Sequence, residues 1–218
     1  YTSTGNISGT RKSLAVASNG LETYVANAAN NRLQRLDNQG KRKEEYKLRE
    51  LKISAIGGLA LDGSKVVITD PKRHQVITFK PKGTGAAMLI ESEETPEEII
   101  TEEGVEIESI KKIGEINVIA YSGEKYGSAP LWMPAGVTVF EGQYFIADAG
   151  NHRILLFEGP SFKKEFGGRR LIHPISVAVN GDYLLVADIG KGKIVRFTIA
   201  GEYVDEIELE NQTQPSSV

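Results

Sequence analysis

Cysteine is absent from all 218 residues. Disulfides, thiolate zinc sites and a cysteine nucleophile are therefore excluded. A chain of this length buries roughly 70% of its unfolded surface and needs no such staples. No apolar run approaches the ~20 residues that a helix needs to cross a bilayer, so the expectation is a soluble, globular chain. Aromatic residues are few and there is one tryptophan, which leaves platforms for base stacking without evident candidates. There is no glycine-rich phosphate loop between a strand and a helix, and no Gly-x-Ser-x-Gly nucleophile turn. The chain starts at Tyr1 rather than Met and carries no signal peptide, which reads as a processed form or a piece of a longer protein. The lack of cysteine leaves the compartment open, with an extracytoplasmic one slightly favoured.

Charge is segregated. The formal net charge is −3. Between Glu91 and Glu108 there are nine glutamates and no lysine or arginine, so the rest of the chain is net +6. A run of this kind is ordinarily a solvated face. The sharper reading is an acidic edge that meets a basic partner, including another copy of the same chain.

One short run organises the remainder. Asp148-Ala149-Gly150-Asn151-His152-Arg153 lies between two apolar segments, Tyr144-Phe145-Ile146-Ala147 and Ile154-Leu155-Leu156-Phe157. Counterparts begin at Asn27, Asp70 and Asp188, each closing an apolar segment. Asp70 and Asp148 are two periods apart, which calls for a degenerate unit with its anchor near Ser109. A period of about forty residues with four strands per unit predicts an all-β fold, a β-propeller of four-stranded antiparallel blades. About five repeats are expected, at about 11–50, 54–92, 95–132, 133–168 and 173–210, with polar tails 1–10 and 211–218. The ring is then five-bladed, or six-bladed with an incomplete blade, in a single domain. Asn19-Gly20, Asp62-Gly63 and Asn180-Gly181 supply tight turns between first and second strands.

The repeat resembles the NHL family, whose pattern is an apolar second strand ending in Asp, then Asn-His-Arg and an apolar third strand. The fourth unit matches throughout, from Pro134 to Arg153. The fifth keeps Pro174, Asp188 and Lys193, and the second keeps Asp70 and His74. Asn27, Asp70, Asp148 and Asp188 are expected as turn anchors whose side chains accept backbone N–H bonds in the following turn.

In a propeller, the turn between strands two and three shares a face with the link between blades. The cations on those segments are Arg32, Lys72, Arg73, His74, His152, Arg153, Arg169, Arg170 and Lys191, with His173 and Lys193 beside them. They form the candidate partner-binding face. The expected function is non-catalytic: a scaffold or assembly module that binds a protein or peptide there, with no cofactor. A second reading is single-stranded RNA on the same face, as the resemblance allows, although a pI near 5.8 argues against a dedicated nucleic-acid binder. A third is a metal-dependent propeller enzyme resembling peptide-amidating lyases, with His74, His152 and His173 as ligands. Calcium held by Asn117, Asn151 and Asp188, as in lactonase-type propellers, is a weaker variant.

Overall fold

The computed structural model describes residues 15–27, 32–81 and 113–208. The first sheet is β1 (Ala15–Ser18), β2 (Glu22–Asn27), β3 (Arg32–Asp37) and β4 (Arg42–Lys47). The second is β5 (Leu59–Asp62), β6 (Lys65–Asp70), β7 (Gln75–Pro81) and β8 (Ile113–Tyr121). A small hairpin follows, β9 (Lys125–Tyr126) with β10 (Ala129–Pro130). The third sheet is β11 (Pro134–Phe140), β12 (Gln143–Asp148), β13 (Arg153–Glu158) and β14 (Ser161–Phe166). The fourth is β15 (Pro174–Asn180), β16 (Tyr183–Asp188), β17 (Lys193–Thr198) and β18 (Tyr203–Glu208). Each four-stranded sheet runs antiparallel in sequence order, the arrangement of a propeller blade.

Successive blades pack face to face through three apolar clusters. The first joins Tyr24, Tyr46, Ile68 and Phe79, and the second Val67, Tyr126, Tyr144 and Ile146. The third holds Phe145, Ala147, Leu184 and Val186. Strand β12 thus sends Tyr144 and Ile146 to one neighbour and Phe145 and Ala147 to the other. A strand buried on both faces cannot alternate apolar with polar, and this is why its sequence reads as a continuous apolar run.

The innermost strands β1, β5, β11 and β15 line a central channel of about 620 Å³. They stand close enough that small residues are obligatory. A Cβ on Gly58 would lie 2.8 Å from the Val137 nitrogen, and one on Gly136 would lie 2.6 Å from the Ser176 Cα. Gly58, Gly136 and Ser176 occupy one equivalent position in three consecutive blades.

The structure reassigns the span expected as a third repeat. Ile116-Asn117-Val118-Ile119-Ala120 belongs to β8, the fourth strand of the second blade, paired with β7 from Gln75↔Tyr121 to Pro81↔Ile113. The strands are joined by residues 82–112, so the expected anchor near Ser109 lies outside the described residues. Closing a longer loop costs little, about 0.6 kcal/mol per doubling of its length, so a hairpin tolerates such an insertion. A hairpin insertion and a degenerate repeat produce the same spacing between Asp70 and Asp148. The tails 1–10 and 211–218 also lie outside the described residues.

Candidate partner-binding face

The four anchors differ in how they work. Asp70, Asp148 and Asp188 are fully buried at the ends of β6, β12 and β16. Each reaches back about sixteen residues to fasten the link that enters its own blade. Asp70 accepts from the Ser54 and Ala55 N–H groups at 2.7 and 3.1 Å. Asp148 accepts from Trp132 N–H at 2.8 Å, and Asp188 from Ile172 and His173 N–H at 2.6 and 2.8 Å. The expected bonds to the following turn are also present at Asp70, from Lys72 and Arg73 N–H at 3.1 and 3.2 Å, and at Asp188, from Lys191 N–H at 3.2 Å. Asn27 is buried at the end of β2. One carboxylate thus satisfies donors from two chain segments that would otherwise be buried without partners.

Two residues after each anchor the side chain must suit that link. Trp132 lies over Gly150, where a Cβ would stand 2.7 Å from the Trp132 carbonyl oxygen and 2.8 Å from its indole ring. Ile172 lies over Gly190 in the same way. In the second blade the link residue is the small Ser54, and Lys72 takes the glycine's place. Four residues after each anchor the backbone turns left-handed, at His74 (φ 49°), His152 (φ 58°) and Gly192 (φ 69°).

Both histidines at that position clasp the next blade. His74 Nδ1 accepts from Met133 N–H at 2.9 Å, and His152 Nδ1 meets the Ile172 carbonyl oxygen. They are therefore directed along the ring, and with His173 they gather around no common centre. Among the described residues no three histidines, aspartates or glutamates form a group that could hold a metal ion.

Arg153 does not belong to the exposed face. It is 3% exposed, and its Nε donates to Asp148 at 2.8 Å. Its other nitrogens bond the Tyr126 and Ala129 carbonyls at 2.7 Å, and also reach Ser128 and Glu165. The fork binds the β9–β10 hairpin to the third blade, where Tyr126 also packs on Phe157 and Phe162. Burial opposes ionisation of Glu165, but bonds from the Ser128 N–H and hydroxyl and the charge of Arg153 hold its carboxyl below the usual range. Burial pushes the Tyr126 phenol up to about 12.

The other cations sort by partner. Arg32 pairs with Glu45 at 2.7 Å, and Lys191 pairs with Glu206. Arg170 lies 4.1 Å above the Tyr203 ring, and Arg169 is exposed. Lys72 and Arg73 are exposed, and no carboxylate among the described residues pairs with either. Arg73 instead donates to the Ser54 hydroxyl at 3.0 Å and the Lys52 carbonyl at 3.1 Å. This brings in exposed Lys52 and Arg49, which lie on the same link and were missed from sequence. On the opposite face three turn lysines are paired: Lys43 with Asp37 at 3.1 Å, Lys65 with Asp62 at 3.7 Å and Lys163 with Glu158 at 2.7 Å.

Three exposed apolar side chains stand here too, of which Met133 and Ile172 escaped the sequence reading. Trp132 is 52% exposed, Met133 42% and Ile172 51%. The histidine clasps place them beside the cations, so one band crosses three blades, from Lys52, Lys72 and Arg73 through Met133 and Trp132 to Ile172. The signal available in sequence was the residue pair ahead of Pro134 and Pro174. Among the described residues no titratable side chain lines the channel at the centre of the ring.

The described residues are nearly all β, in five sheets of which four are blades. The fold is similar to that of a streptogramin B lyase, at TM-score 0.56 and 16% identity over 94% of this chain and 72% of that one. It is also similar to a catalytically inactive virginiamycin B lyase from Staphylococcus aureus with quinupristin, at TM-score 0.58 and 18% identity over 98% and 76%. Comparison with curated protein sequences gave no match. The class is thus a β-propeller. Residues 131–157 match the NHL repeat, and the chain is a propeller carrying that repeat.

Proposed function

We propose that this propeller is a non-catalytic module that captures a protein or peptide through the band on its turn-bearing face. The observation that carries this reading is the contiguity of unpaired Lys72 and Arg73 with exposed Trp132 and Met133, joined by the 2.9 Å bond from Met133 N–H to His74. Large aromatic side chains at an interface supply most of the binding energy, and unpaired charges beside them supply orientation and on-rate. Preformed, packed blades hold both at little entropic cost.

The test is capture from a lysate of the source cells, followed by purified-partner titration. Lys72→Glu with Arg73→Glu should weaken affinity at least tenfold, and Trp132→Ala likewise, while Lys43→Glu on the opposite face changes nothing. Equal losses from both faces refute the reading. Tight, salt-dependent binding to RNA homopolymers that also requires Lys72 and Trp132 would move the ligand class to single-stranded RNA.

A further inference from the structure

The glutamate-rich run Glu91–Glu108 lies in the connection between β7 and β8. These strands pair from Gln75↔Tyr121, beside the turn that holds Arg73 and His74, to Pro81↔Ile113 at the other end of the blade. The described ends that the connection joins, Pro81 and Ile113, therefore lie at the end of the blade opposite the basic band. A seven-residue strand at ~3.3 Å per residue separates the two by on the order of 20 Å. The run carries nine negative charges and no positive one. It also contains Ile99, Ile100, Val105 and Ile107, apolar side chains of the kind that Trp132, Met133 and Ile172 can receive.

We propose that the chain self-associates head to tail, with the 91–108 segment of one copy docking on the Lys52–Lys72–Arg73–Trp132 band of the next. The inference rests on the band being a binding face and names its occupant as a second copy. The argument is complementarity of charge and apolar side chains between this run and the band, with the strand ends that carry the run facing away from the band. The band's Lys52, Lys72 and Arg73 lack carboxylate partners among the described residues, whereas Lys43, Lys65 and Lys163 of the opposite turns have theirs. A plug and a socket on different faces make a heterologous contact, which propagates unless the rotation closes it. Association of this kind loosens as salt screens the charges.

Two variants dissect it. In the first, Lys52, Lys72 and Arg73 become Glu, which removes the socket and keeps the plug. In the second, the nine glutamates between 91 and 108 become Gln, which removes the plug's charge without changing the connection's length. By sedimentation at about 20 mM salt, wild type is expected as a concentration-dependent series of oligomers that dissociates at about 500 mM. Each variant alone is expected as a monomer of 23.8 kDa. Their equimolar mixture is expected to form a dimer and stop there, since both free ends of that dimer, one disabled socket and one disabled plug, are inactive. A wild type that is monomeric at both salts, or a mixture that stays monomeric, overturns the proposal.

Trp132 is the single tryptophan and stands in the band, so its emission reports docking directly. A synthetic 91–108 peptide should shift Trp132 emission to the blue in the second variant and leave it unchanged in the first. A peptide that binds while the full chain stays monomeric removes self-association and keeps the face. Capture of a purified partner that is indifferent to Lys72, Arg73 and Trp132 removes the face itself.

Discussion

Asp148 is buried at the junction of two chain segments and receives Trp132 N–H, Asn151 Nδ2–H and Arg153 Nε–H. Asp148→Ala would leave the buried Arg153 guanidinium with only the partly exposed Glu165 as counter-charge and the Trp132 N–H without its acceptor, a change toward the lower end of the about 3–5 kcal/mol that breaking a buried pair costs. The midpoint of urea unfolding should fall accordingly, with an unchanged slope. Gly150 offers a finer test. Gly150→Ala places a methyl against the Trp132 carbonyl and indole, so it should lower Tm and alter Trp132 fluorescence. Adding Trp132→Ser, which copies the small Ser54 of the second blade, should recover part of the loss. A coupling energy on the order of 1 kcal/mol is expected for such neighbours. The anchor role was legible in sequence because Asp recurs with the period of the fold. The histidine clasps were not, because Met133 lies 59 residues from His74 and only packing of consecutive blades brings them together.

At the scale of elements, the β9–β10 hairpin is held by Arg153, Ser128 and Glu165 rather than by strand pairing with a blade. Glu165 accepts from the Ser128 N–H at 3.1 Å and hydroxyl at 2.9 Å. Its carboxyl is held below the unfolded value near 4.5. The stabilisation it provides is therefore complete above that value and is lost as pH falls through the lower, folded one. Glu165→Gln should be less stable than wild type at pH 7, and the gap should close as the solution is acidified below about 4.5. Chemical denaturation across that pH series measures it, and a gap that stays constant would show that Glu165 acts only through packing. Sequence spacing missed this hairpin because 125–130 carries no anchor and no turn motif of the repeat. It missed β8 because strand pairing across residues 82–112 leaves no local mark: what places 113–121 beside β7 is an unpaired strand edge.

At the scale of the whole molecule, the two ends of the propeller differ in how their charges are used. One end pairs Lys43, Lys65 and Lys163 with aspartate and glutamate, and the other leaves Lys72 and Arg73 without a carboxylate partner among the described residues, beside exposed apolar side chains. Ligand capture should accordingly weaken with salt more in wild type than in Lys72→Glu with Arg73→Glu, measured as the slope of affinity against salt. The same substitutions should leave Tm within about 1 °C, because exposed charges contribute little to stability. A large fall in Tm would mean that these side chains support the blade link through the Ser54 and Lys52 bonds of Arg73.

The sequence by itself determined the propeller, its blade-closing aspartates and the face on which most of the cations lie. Those features repeat along the chain, and a repeated local rule can be read wherever it recurs. Tertiary structure decided which cations are available. Arg153 and Arg73 look alike as turn arginines, yet one is sealed beneath a hairpin 24 to 27 residues upstream while the other stands in solvent. It also decided that Trp132, Met133 and Ile172 share a band with Lys72 and Arg73, since adjacency across blades depends on how sheets stack around an axis. Distance along the chain carries no information about that.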